Sequence, residues 1–370
     1  MKINTPSYKC DLELNSKVTF VLGGSGVGKS ELVRKLQMEG IEDFLTISDG
    51  FDFNVISCNV FNALFKTAKN HINDYDNLSN SKKLAELRHY WSDRLNFPFS
   101  NSVLIVDDED FVDSIEFQAF FDSDESNYYL LINRRHINRI SYSVDDVYEF
   151  KSNGVFHYLE KRYDIEHSDK TEFDYILTEG VGSDYVLFKS YFGDGVINPM
   201  FGNKIQSGGR TNVVKMIVSN SDYFRGKSIL VLIDYVAFGS NFESFVSICN
   251  SLDVDFHIFS LYRSFEYFLL RSNIIKDSGL DLYVSNNFLK FNSLENLYTK
   301  RLKDLTKNTM LSYKKNGDEF SVCYYKDCCS NNQYRSGNCR FRLLFDKVNK
   351  FEHLVSNTEF DIFLSISLNN

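Results

Sequence analysis

Eight residues near the N-terminus have the types and the spacing that bind a phosphate group. They match the pattern G-x-x-x-x-G-K-[ST] in full and are Gly23-Gly24-Ser25-Gly26-Val27-Gly28-Lys29-Ser30. The glycines let successive backbone N–H groups converge on a phosphate, and the positive end of a following helix strengthens that field. We expect Lys29 to neutralise the β- and γ-phosphates of a bound ATP and the Ser30 hydroxyl to bind Mg²⁺.

A run of carboxylates after a second apolar segment predicts another part of the same site. The apolar residues 103–106 lead directly into Asp107-Asp108-Glu109-Asp110. A carboxylate at the end of a buried strand binds Mg²⁺ beside a nucleotide, and we assign that role to Asp107. Asp108 takes the position of a water-activating base. Because its side chain is short and Glu109 is adjacent, the sequence leaves the choice between these two residues open.

The next apolar segment also ends in polar residues. Residues 128–132 (YYLLI) are followed by Asn133, Arg134 and Arg135. A polar or basic side chain at this position could contact the γ-phosphate, and the alternative is a solvated loop. The sequence does not decide between the two interpretations.

Two further carboxylates follow apolar segments in the second half of the chain. Glu179 comes after residues 175–178 (YILT), and Asp234 comes after residues 228–233 (SILVLI). Ligands of a parallel sheet bind outside the carboxyl ends of its strands, so we expect Glu179 and Asp234 to converge there. Converging carboxylates bind Mg²⁺ and support phosphoryl transfer.

Four cysteines are grouped near the C-terminus, at Cys323, Cys328, Cys329 and Cys339. Residues 1–17 contain no apolar segment of a secretory signal, so we expect a cytoplasmic protein with reduced cysteines. Zn²⁺ bound by three or four of these thiolates would hold together a segment too small to form its own core. Free thiols are the alternative, because the spacing departs from common C-x₂-C pairs.

The segments that must position these residues alternate between strand and helix patterns, which predicts an α/β fold with a parallel sheet. Strand patterns begin near residues 17, 103, 128, 175, 228 and 255. Helix patterns lie at 31–38, 59–71, 82–95, 114–121, 184–191, 212–222, 240–252 and 265–274. The polar stretch 141–153 resembles a boundary. We therefore predict a first α/β domain at 1–147, a second at 148–300, and a small cysteine-bearing module at 301–370.

Composition excludes several classes of protein. The chain has 370 residues, of which 43% are hydrophobic and 25% charged, so wholesale disorder is excluded. No apolar run approaches the roughly 18 residues that a membrane span needs, so we expect no membrane partner. The formal net charge of -9 argues against a generally basic nucleic-acid coat, although a local basic groove remains compatible with it.

The motifs at 23–30 and 103–108 resemble those of the P-loop NTPases, particularly the compact AAA/RecA-like or ABC-related branches. The resemblance covers about residues 15–145. It implies an ATPase domain that uses ATP and Mg²⁺. The segment Gln206-Ser207-Gly208-Gly209-Arg210 has some similarity to the ABC signature, but it follows the carboxylate strand, whereas in that family the signature precedes it.

The second half looks like a Toprim domain, because a strand ending in Glu-Gly is followed by helices and a strand ending in Asp. This resemblance implies that Glu179 is a general acid/base or a metal ligand and that Asp234 is a metal ligand. Toprim domains usually carry Asp-x-Asp, whereas this chain has Asp234-Tyr235-Val236. A third carboxylate would therefore come from elsewhere, with Asp184 and Glu266 as the two candidates.

The combination is similar to the OLD-type and other bacterial anti-phage proteins that join an ATPase to a Toprim domain. It implies an ATPase domain that controls metal-dependent cleavage of DNA or RNA, with a second copy of the chain or another protein as partner. The competing hypothesis is a switch without nuclease activity, in which ATP binding drives association with a partner or its release. A P-loop kinase of a small molecule is disfavoured because no lid motif is evident.

Overall fold

The computed structural model divides the chain into two units by its internal contacts. Among the described residues, those of 1–163 form the first unit and those from 164 onward form the second. The residues that the structure describes are 1–12, 14, 16–38, 45–46, 52–93, 97–107, 109–167, 173–179, 196–197, 210–234, 237–259, 294–307 and 363–368.

A nine-stranded sheet runs through the described part of the first unit. Five adjacent strands on one side of the sheet are parallel, in the order β5 (Asp52–Ile56), β6 (Ser102–Val106), β7 (Tyr128–Asn133), β3 (Val18–Leu22) and β8 (Val147–Ser152), with β5 at the edge. The strands β3, β6 and β7 are buried at every position. Continuous burial is expected of parallel strands that are covered on both faces.

Four shorter strands extend this sheet beyond β8. The strand β9 (His157–Lys161) forms an antiparallel hairpin with β8 and pairs in parallel with β2 (Tyr8–Asp11). The strand β1 (Lys2–Asn4) then joins β2 to β4 (Leu45–Thr46) through antiparallel pairs. The sheet is therefore mixed, so the expectation of a parallel sheet is right for the five parallel strands and wrong for the antiparallel pairs of this extension.

The described helices of the first unit follow the predicted segments closely, except for a short helix at Glu109–Val112 that was not predicted. They are α1 (Lys29–Leu36), α2 (Cys58–Asn70), α3 (Asn80–Ser92), α4 (Glu109–Val112) and α5 (Ile115–Ser123), with 3₁₀ turns at Tyr75–Asn77 and Val144–Asp146. An aromatic cluster packs α2, α3 and α5 together. Its members are buried side chains with edge-to-face contacts, namely Phe61, Phe65, Trp91, Phe117 and Phe120.

A buried polar network fixes the amino ends of β3 and β7. The Lys17 ammonium donates hydrogen bonds to the backbone carbonyls of Phe121 and Asp124. The Asp124 carboxylate accepts the Tyr129 hydroxyl at 2.5 Å and the Asn127 amide at 2.9 Å. Since each of these buried groups has partners, the network holds this end of the sheet without leaving a charge unsatisfied.

The Asp146 carboxylate, just before β8, makes stability depend on pH. It is 4% exposed, accepts a hydrogen bond from Ser16 at 2.5 Å, and has its pKa raised to about 7 by burial. The folded protein therefore holds a proton between about pH 4 and pH 7 that the unfolded chain, with a pKa of about 3.9, has lost. Because the folded state binds more protons in this window, the contribution of Asp146 to stability is fully present below the window and is lost as the pH rises through it.

We expect Asp146→Asn to remove this pH dependence. Above pH 7 the variant should be more stable than the wild type by up to about 4 kcal/mol, at about 1.4 kcal/mol per pKa unit. Urea denaturation at a series of pH values measures the difference. Asp145→Asn alters the neighbouring, half-buried carboxylate and should keep most of the wild-type slope. Equal slopes for Asp146→Asn and the wild type would contradict the assignment.

The second unit is built around a six-stranded sheet among its described residues. The strand order is β10 (Tyr163–His167), β15 (Phe363–Leu368), β14 (Asp255–Phe259), β13 (Ser228–Leu232), β11 (Tyr175–Thr178) and β12 (Val196–Ile197). The strands β12, β11, β13 and β14 pair in parallel, whereas β15 is antiparallel to β14. The structure is therefore α/β in both units.

The described helices of the second unit are α6 (Arg210–Ser219), α7 (Ser221–Phe224), α8 (Gly239–Ser251) and α9 (Leu294–Thr306). The predicted helices at 184–191 and 265–274 lie outside the described residues. The strand β15 comes from the segment 301–370, which was expected to form a separate module. Since β15 pairs with β14, the end of the chain contributes to the second sheet.

The division between the units also differs from the predicted boundary at 147. The contacts place it after Tyr163, because the hairpin of β8 and β9 pairs with β3 and β2 of the first sheet. The stretch 141–153 thus contains the first strand of this hairpin, β8.

Candidate functional site

The glycine-rich loop, residues 23–28, connects the carboxyl end of β3 to the first turn of α1. Gly26 and Gly28 have positive φ angles of 82° and 96°, and Gly28 is the residue that precedes the helix. Glycine adopts this left-handed conformation freely, whereas other L-residues are strained in it. Any other residue at these two positions would therefore strain the backbone of the loop.

Lys29 is the first residue of α1, and its side chain folds back across the glycine-rich loop. It is 7% exposed, and its ammonium donates hydrogen bonds to the carbonyl of Gly23 and, at 2.7 Å, to the carbonyl of Gly24. The next residue, Ser30, is exposed. A positive charge is thus held inside the turn, beside the amino end of a helix. Both features favour the binding of an anion.

The end of β7 lies directly beside the glycine-rich loop. Leu22 pairs with Asn133, and the N–H of Gly23 donates to the Asn133 carbonyl at 3.1 Å. The Asn133 side chain is 2% exposed, and among the described residues its Oδ1 atom has no hydrogen-bond partner. A buried acceptor at this edge of the sheet is suited to a ligand that brings a donor, such as a metal-bound water.

The order of the strands marks this edge as a ligand-binding position. β7 and β8 flank β3 on opposite sides, so the segment that connects β7 to β8 passes from one side of β3 to the other. Ligands of open α/β sheets bind at the carboxyl ends of strands where the order reverses in this way. The glycine-rich loop leaves the sheet at that point.

Asp107 follows β6 at the same edge and is half-buried. Val106 pairs with Leu131 of β7, so β6 ends two residues before β7 does. Because β6 is separated from β3 by β7, its end lies about 10 Å from the loop, at about 4.8 Å per strand. At that separation the Asp107 carboxylate is too far away to contact the loop directly. It is placed to bind a cation that lies between the two.

Mg²⁺ fits the donors at this edge. The exposed hydroxyl of Ser30, the carboxylate of Asp107 and the amide oxygen of Asn133 are hard oxygen donors. Among the described residues no group of three or more His, Cys, Asp or Glu side chains is arranged to hold a metal. Mg²⁺ commonly binds through one or two protein oxygens together with substrate phosphates and water, so this donor set is compatible with it.

Two aromatic side chains of the first sheet support the end of the glycine-rich loop. The Tyr8 hydroxyl donates a hydrogen bond to the Gly28 carbonyl at 3.1 Å, and burial raises the pKa of this hydroxyl. The His157 ring stacks on the Tyr8 ring with centroids 5.0 Å apart. A Cβ atom added to Gly28 would lie 3.0 Å from His157 Cε1. Gly28 is therefore required for space as well as for its φ angle.

In the second unit the structure brings Glu179 and Asp234 together. They follow the neighbouring parallel strands β11 and β13, and both are half-buried. The Glu179 N–H donates to the Leu232 carbonyl, and the Asp234 N–H donates to Glu179 Oε2, both at 3.0 Å. One oxygen of Glu179 is therefore fixed against the turn that begins at Asp234.

Several predicted site residues lie outside the part of the chain that the structure describes. For Glu109, only its place in α4 is described. The residues outside are the candidate base Asp108, both candidates for a third carboxylate and the cysteine cluster, namely Asp184, Glu266, Cys323, Cys328, Cys329 and Cys339. Their roles stay predictions.

The sequence did not identify Tyr8 or His157 as part of this site. Both lie far from residues 23–30 along the chain, and no local motif surrounds either one. Only the pairing of β9 with β2 brings them under the glycine-rich loop. A prediction of two paired strands within residues 147–161 would have been the sequence signal that placed His157 near this site.

The comparisons with known proteins identify no family. No protein-family model matches the chain, and no curated protein sequence matches it. Among the residues that the structure describes, none of the helices has the length and apolar character needed to cross a membrane.

Proposed function

We propose that the first unit binds and hydrolyses ATP at the glycine-rich loop. The observation that carries the proposal is the position of Lys29, whose buried ammonium is held inside the turn between β3 and α1. The full match of residues 23–30 to the phosphate-binding pattern supports the same conclusion. Asp107 and Asn133, at the neighbouring strand ends, support a metal-assisted reaction of the terminal phosphate.

Each residue of this site has a distinct part in the proposed reaction. The backbone of residues 24–28 and the amino end of α1 bind the phosphate chain, and Lys29 offsets the charge that develops as the γ-phosphate leaves. Mg²⁺, held by Ser30 and Asp107, would supply further neutralisation of the phosphate oxygens. The Asn133 Oδ1 atom accepts a hydrogen bond from a water molecule at the edge of β7. Asp108 or Glu109 is the proposed base for the attacking water.

We further propose that the second unit is a Toprim-like domain that cleaves DNA or RNA under the control of the ATPase. The hydrogen bond from the Asp234 N–H to the Glu179 carboxylate supports a shared metal site, because it holds the Glu179 side chain beside Asp234. Their positions after neighbouring parallel strands agree with the sites at which such sheets bind ligands. An anti-phage role is the corresponding cellular proposal.

A second candidate function is an ATP-driven switch whose second unit only binds a partner. The observation that favours it is the segment Asp234-Tyr235-Val236, which lacks the second aspartate of the usual Toprim pattern. With fewer carboxylates, a metal would be held more weakly and cleavage would be slower.

Assays of hydrolysis and cleavage on the purified chain distinguish these functions. The leading proposal expects Mg²⁺-dependent release of phosphate from ATP and cleavage of DNA or RNA that changes when ATP is added. The switch hypothesis expects ATP hydrolysis alone. If ATP is not hydrolysed under any of these conditions, the proposed function of the first unit is wrong.

A further inference from the structure

The hairpin of β8 and β9 reaches both ends of the glycine-rich loop. A Cβ atom added to Gly23 would lie 3.2 Å from the Cβ atom of Phe150 in β8. At the other end, a Cβ atom added to Gly28 would lie 3.0 to 3.3 Å from three atoms of the His157 ring in β9. The loop is therefore packed against one hairpin at the point where it leaves β3 and again at the point where it enters α1.

The His157 ring is held in place by stacking. Its neighbours are Tyr8, with ring centroids 5.0 Å apart, and Phe150, with centroids 5.6 Å apart and planes 19° from parallel. Its backbone N–H donates to the Ser7 carbonyl at 2.8 Å. Among the described residues its Nδ1 atom is buried and has no hydrogen-bond partner. The side chain thus acts on the loop through its shape rather than through a polar contact.

We propose that His157 is a positioning residue for nucleotide binding, which holds Gly28 in its left-handed conformation and so presets the glycine-rich loop for phosphate. This inference rests on the proposed ATPase function. The His157 ring fills the space next to the Gly28 Cα atom, and the Tyr8 hydroxyl donates a hydrogen bond to the Gly28 carbonyl. Without the ring, the turn could relax toward other conformations, and only a fraction of molecules would present the loop that binds phosphate.

The expected effect is a loss of affinity with little change in the rate at saturation. If His157→Ala lowers the competent fraction to about a tenth, the apparent Kd for ATP rises about tenfold, because apparent affinity scales with that fraction. Saturating ATP restores the competent loop, so kcat should stay within about twofold of the wild type while KM rises. A general loss of folded protein would instead lower the apparent kcat and leave KM unchanged.

Two further variants separate the shape of the ring from a general effect on the hairpin. His157→Phe keeps a flat ring between Tyr8 and Phe150 and should hold KM within about threefold of the wild type. Tyr158 is the next residue of β9, and its side chain points to the opposite face of the sheet. Tyr158→Ala should therefore leave the KM for ATP unchanged.

The experiment is a steady-state measurement of ATP hydrolysis with Mg²⁺, together with calorimetric titration of ATP, on the full chain and these three variants. A tenfold rise in KM and Kd confined to His157→Ala supports the inference. Wild-type constants in His157→Ala, or an equal rise in His157→Phe or Tyr158→Ala, would overturn it while leaving the ATPase proposal intact. A wild-type chain that neither binds nor hydrolyses ATP would overturn both.

Discussion

Lys29→Ala should lower the rate of ATP hydrolysis at least about a hundredfold, which is the typical cost of removing one group that stabilises charge in a transition state. The Lys29 ammonium is buried in the turn of the glycine-rich loop, where little water screens its field. Its removal leaves the charge on the β- and γ-phosphates without this partner as the terminal phosphate departs. The measurement is phosphate release at saturating ATP and Mg²⁺.

Arg34→Ala is the matched control for this prediction. Arg34 lies on the same helix, is exposed, and pairs with Glu31 through a hydrogen bond of 2.7 Å. Solvent screens an exposed ion pair of this kind, so it contributes little to stability and its loss should not change hydrolysis. Equal rates for Lys29→Ala and the wild type would remove Lys29 from the catalytic site.

Glu179→Gln should abolish cleavage of DNA or RNA while leaving ATP hydrolysis unchanged. The substitution removes the negative charge but keeps an amide oxygen that can accept the Asp234 N–H, so the contact between the two turns survives. Because each carboxylate supplies only one or two oxygens to a hard cation, loss of one charge should weaken metal binding strongly. Asp234→Asn should have the same effect. Cleavage assays and calorimetric titration with Mn²⁺ measure the two consequences.

Asp174→Asn provides the control at the opposite end of the same strands. Asp174 accepts the Ser228 N–H at 2.9 Å and lies 3.6 Å from the Lys227 ammonium. Asp174 therefore links β11 to β13 at their amino ends by the same kind of hydrogen bond that Glu179 makes at their carboxyl ends. Cleavage should persist in this variant. If Glu179→Gln and Asp234→Asn both cleave like the wild type, the nuclease proposal is wrong and the switch hypothesis replaces it.

Local patterns were enough to predict the elements that carry the candidate site. The strand β3, the glycine-rich loop and α1 are adjacent in sequence, so a motif of eight residues identifies all of them. The strands β6 and β13 were equally clear, because a buried parallel strand is a continuous apolar run. In each case the information lies within about ten residues.

The contacts that complete the site depend on pairing between distant segments. The first strand of the hairpin, VYEFKS, mixes apolar and charged residues without regular alternation, so its sequence does not show which face is buried. His157 comes under Gly28 only because β9 pairs with β2. Similarly, the pairing of β15 with β14 joins the end of the chain to strands about a hundred residues earlier. No local pattern contains these contacts.

The most direct test of the central claim is calorimetric titration of the purified chain with ATP and Mg²⁺, carried out for the wild type and Gly28→Ala. We predict that the wild type binds one ATP per chain. Gly28→Ala should lose this binding, because alanine is strained at a φ of 96° and its Cβ atom would lie 3.0 Å from the His157 ring. Absence of binding by the wild type, or equal binding by the two proteins, would contradict the account.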